Sequence, residues 1–147
     1  MTGRDGGGPD PVVAAAAAAA GQAPAPRVLA DTADLAALAD APSGALWKLA
    51  EPGRQLDANV VHLPPSARVA PHTEPDLDVL LLVLSGAGTL LGTDGPRGLR
   101  VGELAWLPRG AVRGVEAGPD GLTYLTAHRR RPGLSIRPPS DTRNAGG

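Results

Sequence analysis

Cysteine and phenylalanine are both absent from the 147 residues. Without cysteine there is no disulfide, no thiolate metal ligand and no cysteine nucleophile, which fits a reducing, cytoplasmic setting. One Tyr and two Trp make up the aromatic content, too little for a platform that stacks single-stranded nucleic acid. Charge of one sign is also missing. The net charge is −1, so no basic field draws nucleic acid or an anionic membrane. The basic run Arg129–Arg131 reads as the solvated end of a last strand. The longest strongly apolar run, Val79–Leu84, is far too short to span a bilayer. Neither a nucleic-acid partner nor a membrane is expected. No Gly-x-Ser-x-Gly elbow is present either, which argues against a serine hydrolase.

What is present is unevenly spread. Alanine accounts for 26 residues, while Leu, Val and Ile together number 32. Of those 32, 26 fall in residues 45–136, so that stretch can bury a core and the ends cannot. The 20 Gly and 16 Pro exclude long helices from most of the chain and call for many turns.

Residues 1–27 are low in complexity and read as a disordered Ala/Gly/Pro-rich leader. The run Val12–Ala20 followed by Ala23-Pro24-Ala25 has the outline of a secretion signal. It lacks the basic start, because Arg4 is offset by Asp5 and Asp10. Residues 28–44 form a lead-in with one short helix, Asp31 as its cap, Leu35, Leu38 and Ala39 on one face, and Pro42 as its stop. Short strands then alternate with Gly/Pro punctuation. They fall at Leu46–Leu49, Gln55–Leu63, Arg68–Ala70, Asp78–Ser85, Thr89–Leu91, Leu99–Val101, Leu104–Leu107, Ala111–Ala117 and Leu122–Ala127. Such spacing means an all-β sandwich or barrel, assigned to residues 45–137. A disordered tail follows at 138–147.

Two segments carry a family resemblance. One runs from Val69 through Pro71, His72, Glu74 and Asp78 to Gly86 and Gly88. The other runs from Gly102 through Trp106, Pro108 and Gly110 to Arg113. Together they resemble the two motifs of the cupin superfamily, over about residues 45–130. Gly102, Pro108 and Gly110 match the second motif without a gap, and Gly86 closes the first. The 15 residues between Gly86 and Gly102 resemble the spacing in small microbial cupins. The resemblance implies a single jelly-roll β-barrel.

It also implies a metal site, with two His and a Glu from the first motif and a His from the second. Here His72 is kept and Glu74 stands for the second His. Anchoring on Gly86 puts Val79 at the Glu position; a shorter gap puts Asp78 there. Arg113 stands for the last His. Arginine has no lone pair to give. A guanidinium ~4 Å from a divalent ion costs on the order of several kcal/mol even at an effective dielectric near 20. No metal or other cofactor is therefore expected. A retained ion (Mn, Fe, Ni or Zn) would sit on His72, Glu74 and Asp78. In the metal-free reading Arg113 pairs with Glu74 or Asp78.

In an unbroken strand His72, Glu74, Asp78, Leu80, Leu82 and Leu84 share the inward face. Val79, Leu81 and Val83 then face outward, where the N-terminal segment 28–50 or a second subunit in a homodimer would cover them. Trp47 and Trp106 read as core, and Trp106 also as a ligand-stacking wall beside Arg113. His128, four residues from Tyr124 on one strand, reads either as a strand-end surface residue or as a pocket residue that points into the barrel with Tyr124. His62 reads as structural. The pocket candidates are thus His72, Glu74, Asp78, Arg113, Trp106, Tyr124 and His128. The leading expectation is a small-molecule-binding or structural module with a degenerate metal site. The alternative is a cupin-type enzyme, either a metal-dependent oxygenase or isomerase or a metal-free isomerase or epimerase, acting on a small polar or anionic substrate.

Overall fold

The computed structural model describes residues 23–38 and 40–131. The chain divides into two compact units, Met1–Asp31 and Thr32–Gly147. In the first, residues 23–31 are exposed and have no regular secondary structure. Expectations for residues 1–22, Ala39 and the tail from 138 lie outside the described residues.

The second unit opens with α1 (Thr32–Ala36), none of whose residues is buried. The helix is shorter than the sequence pattern suggests: Leu38 lies beyond it and is half-exposed. Five residues with no buried face do little to offset the cost of nucleation. Seven strands follow: β1 (Gly44–Lys48), β2 (Leu56–Leu63), β3 (Arg68–Thr73), β4 (Val79–Gly92), β5 (Gly95–Arg100), β6 (Leu104–Leu107) and β7 (Val112–Arg129). All pair antiparallel. The class is all-β, as the Gly/Pro spacing predicts.

Two long strands depart from that prediction. Gly86 reads as a turn in the sequence, yet β4 runs through it for 14 residues. Likewise β7 runs for 18 residues through Gly118-Pro119-Asp120-Gly121, where two strands are expected. The glycines make this passage feasible. The β4–β7 register shifts between Val83 and Ser85 and between Gly86 and Gly88, so each strand bends at a bulge without ending. Gly86 has φ 77°, and a Cβ on it would collide with the Gly121 carbonyl. Only glycine fits both constraints.

The bends let β4 and β7 serve two sheet halves. The first half of β4 pairs with β6 and with the second half of β7, which also carries β2 and then β1. The second half of β4 pairs with β5 and with the first half of β7, which carries β3. The halves enclose a core of Leu63, Leu77, Val79, Leu81, Val83, Leu99, Leu107, Val115, Ala117, Leu122 and Tyr124. Burying these side chains, each worth about 1.5–3 kcal/mol when large and aliphatic, holds the halves together.

Edge strand β3 passes through Pro71, which has no N–H to give. Its register against β7 shifts between Val69 and His72, the bulge that a strand proline requires. Gly114 lies opposite. A Cβ there would stand 2.8 Å from both Pro71 N and Val69 O. Pro71 and Gly114 thus fit as a pair.

The inward face of β4 is the odd one, opposite to the expectation from parity. Val79, Leu81 and Val83 are buried, while Leu80 is 43% exposed. The cause lies between β3 and β4. Residues 75–76 bend, and the Asp76 N–H donates to Glu74 Oε1 at 3.2 Å. That bend resets the alternation by one, so residues inward up to Glu74 are followed by Leu77, Val79 and Leu81. The outward apolar set contains Leu80 opposite Trp106 and Leu82 opposite Leu104.

Candidate functional site

The inner side of the barrel holds a cavity of about 200 Å³. Its floor is apolar, formed by Val69, Leu77, Val79, Leu81, Leu107 and Val115, and its polar wall holds His72, Glu74, Arg113, Tyr124, Thr126, His128 and Arg131. Strand alternation explains the β7 share, because Tyr124, Thr126 and His128 are spaced by two. Backbone pairing sets His72 directly opposite Arg113.

Arg113 is 6% exposed. Its Nη1 donates to the carbonyls of Pro108 (3.1 Å) and, weakly, Leu107 (3.5 Å). Among the described residues no carboxylate pairs with it. Glu74 pairs instead with Arg131, Oε2 to Nη2, at 2.7 Å. This bond and the Asp76 N–H hold the Glu74 carboxyl below its usual range, against some desolvation, and the Arg113 charge adds a smaller push the same way. Burial pushes the Tyr124 phenol up to about 12. His72 Nδ1 lies 3.0 Å from the Ala70 carbonyl and His128 Nδ1 2.7 Å from that of Arg129. A carbonyl only accepts, so each Nδ1 carries a proton and a neutral ring leaves Nε2 a lone pair.

Asp78 and Trp106, two pocket candidates from the sequence, do not line this cavity. Asp78 Oδ1 accepts the Arg109 N–H at 2.9 Å, on the face opposite Val79. Trp106 is 58% exposed, because in β6 it alternates with the buried Leu107. The expected pairing of Arg113 with Glu74 or Asp78 is not made. Sequence reasoning missed Arg131 and Thr126. Thr126 was recoverable, since it lies between Tyr124 and His128 at spacing two. Arg131 follows the end of β7, where strand parity gives no signal. His62 is buried away from the cavity, its Nδ1 3.0 Å from Thr123 Oγ1 and its Nε2 without a partner.

The metal positions implied by the motif can now be tested on chemistry. Val79, not Asp78, faces the cavity at the Glu position, and it has no donor atom. Arg113 at the last His position brings a fixed cation and no lone pair. Among the described residues no three His, Asp or Glu side chains are grouped to hold an ion. These residues do not fit a metal.

No family model and no curated protein matches the sequence. Solved structures do match. A sugar phosphate isomerase of the cupin superfamily from Silicibacter pomeroyi is 26% identical, with 54% of this chain and 53% of that one covered and a TM-score of 0.50. KdgF from Halomonas sp. is 26% identical over 58% of this chain and 77% of its own, with a TM-score of 0.51. A cupin-2 domain from Rhodospirillum rubrum, 13% identical, shares the fold over 56% of each chain at a TM-score of 0.52. The chain thus spans about half the length of the first and third. Two bent long strands, six antiparallel pairings and an inner cavity define a small jelly-roll β-barrel. That is the cupin fold, which this chain shares with these structures.

Proposed function

We propose that this protein is a small-molecule-binding module, a cupin-fold barrel that works without the family's metal. The observation that carries the reading is the division of the cavity. An apolar floor faces a wall of convergent polar groups, which is how small-molecule sites combine affinity with orientation. Val79 extends the apolar floor where the motif would place a carboxylate. Arg113 supplies a fixed positive charge where the motif would place an imidazole. Binding then rests on this chain's own side chains. Leu77, Val79 and Leu81 take the apolar part of a ligand, and the wall orients its polar part.

A library of small neutral and charged molecules, screened by thermal shift and by methyl NMR, tests this. The expected result is at least one molecule that raises Tm by mass action and moves the Val79 and Leu81 methyl signals, with no product formed. Turnover of such a molecule would replace the reading with the enzyme alternative. A library that moves neither Tm nor those methyls would leave a structural module.

A further inference from the structure

We infer that the ligand of this cavity is a small monocarboxylate, received by the guanidinium of Arg113. This rests on the reading above and adds the ligand's chemical class.

The argument starts from charge. Glu74 and Arg131 cancel each other across the cavity wall at 2.7 Å. That leaves Arg113 as the buried permanent charge without an ion-pair partner among the described residues. A buried guanidinium is expensive unless an anion or a full set of acceptors meets it. Here acceptors meet only Nη1, through the Leu107 and Pro108 carbonyls. Among the described residues Nε and Nη2 have no acceptor. These two donors form one edge of the guanidinium fork, which matches the two oxygens of a carboxylate. The carbonyls fix the plane of the fork before any ligand arrives, so little freedom is lost on binding.

Charge and volume narrow the class. One unpaired cation balances one negative charge. A phosphate monoester, close to −2, would leave an excess charge facing the Glu74 carboxylate. The cavity of about 200 Å³ equals the liquid volume of about six or seven waters, so the molecule is small. With its carboxylate at Arg113, the remainder lies over Val79 and Leu81 and is apolar. Arg113 also borders a second cavity, of about 300 Å³, next to the β4–β5 turn. That cavity carries Asp94 and Arg97, whose charges offset each other, so charge does not separate the two cavities and the methyl shifts below do.

The test compares isobutyrate with isobutyramide, which has nearly the same shape and no charge, and with inorganic phosphate. Affinities come from NMR titration of the full chain. The expected result is isobutyrate bound at least tenfold more tightly than the amide, phosphate bound more weakly than isobutyrate, and shifts at the Val79 and Leu81 methyls. Arg113→Met should erase the difference between acid and amide. The wild-type comparison stands by itself should that variant fail to fold. Equal binding of acid and amide would overturn the carboxylate inference and leave small-molecule binding intact, as would tighter binding of phosphate. Shifts at Leu90 and Leu91 instead of Val79 and Leu81 would place the anion on the far side of the guanidinium and overturn it too. If none of the three probes binds and the wider library also leaves the cavity methyls unmoved, both readings fall.

Discussion

Glu74 and Arg131 lie 2.7 Å apart across the cavity wall, and this pairing is what leaves Arg113 unneutralised. It also has a pH signature. The folded Glu74 carboxyl titrates below its ordinary value of 4.5. A depressed carboxyl contributes stability that is present above the unfolded value and is lost as pH falls through the folded one. Glu74→Gln should therefore lower Tm at pH 7 and flatten its fall below about pH 4.5. Thermal melts from pH 3 to 7 check this. Parallel profiles for the two proteins would mean that the pair contributes nothing.

Tyr124 offers a cleaner titration, because it is the single tyrosine of the chain. Its folded value is raised to about 12 by burial. A raised group stabilises the fold fully below its unfolded value, near 10, and that stability is lost as pH climbs through 12. Ultraviolet absorbance should show no phenolate at pH 10.5 in the folded protein, and half ionisation near pH 10 in urea. Phenolate at pH 10.5 without loss of structure would place Tyr124 in water.

Gly114→Ala tests the fit between β7 and the Pro71 bulge. The new Cβ would meet backbone atoms at 2.8 Å, and backbone cannot move aside cheaply. A loss of about 2 kcal/mol is expected in urea unfolding. Gly98→Ala is the control. Its Cβ would meet nothing within 4 Å, so a change within about 0.5 kcal/mol is expected. Equal effects at the two sites would show that the bulge relaxes freely.

The mismatch with a metal can be reversed in principle. Val79→Glu with Arg113→His puts a carboxylate on the cavity face and removes the cation, beside His72 and Glu74. Elemental analysis should find about one divalent ion per chain in the double variant and under about a tenth in the wild type. About one ion per wild-type chain, lost in His72→Ala, would restore the enzyme reading.

Much of this was legible in the sequence. Gly and Pro positions marked the barrel because they state where backbones bend, and bends are local. The shared face of Tyr124 and His128 was legible for the same reason, since strand alternation carries one face forward while the strand is unbroken; that this face turns inward at His128 was one of two open readings. The failures in strand layout are at interruptions. The bend at Pro75-Asp76 reversed the parity of β4, which turned Val79 inward and Asp78 outward. The bulges at Gly86–Gly88 fused strands that composition separates. The partner of Arg113 was misread because Arg131, 57 residues from Glu74 in sequence, reaches that carboxylate only once β7 is in place.

The passage of β4 and β7 through both sheet halves bears on how the molecule yields. Each half shares its two longest strands with the other, so melting of one half should carry the other with it. Force or heat applied anywhere must be shared by the same two strands, and amides on opposite walls should exchange with deuterium at one common slow rate.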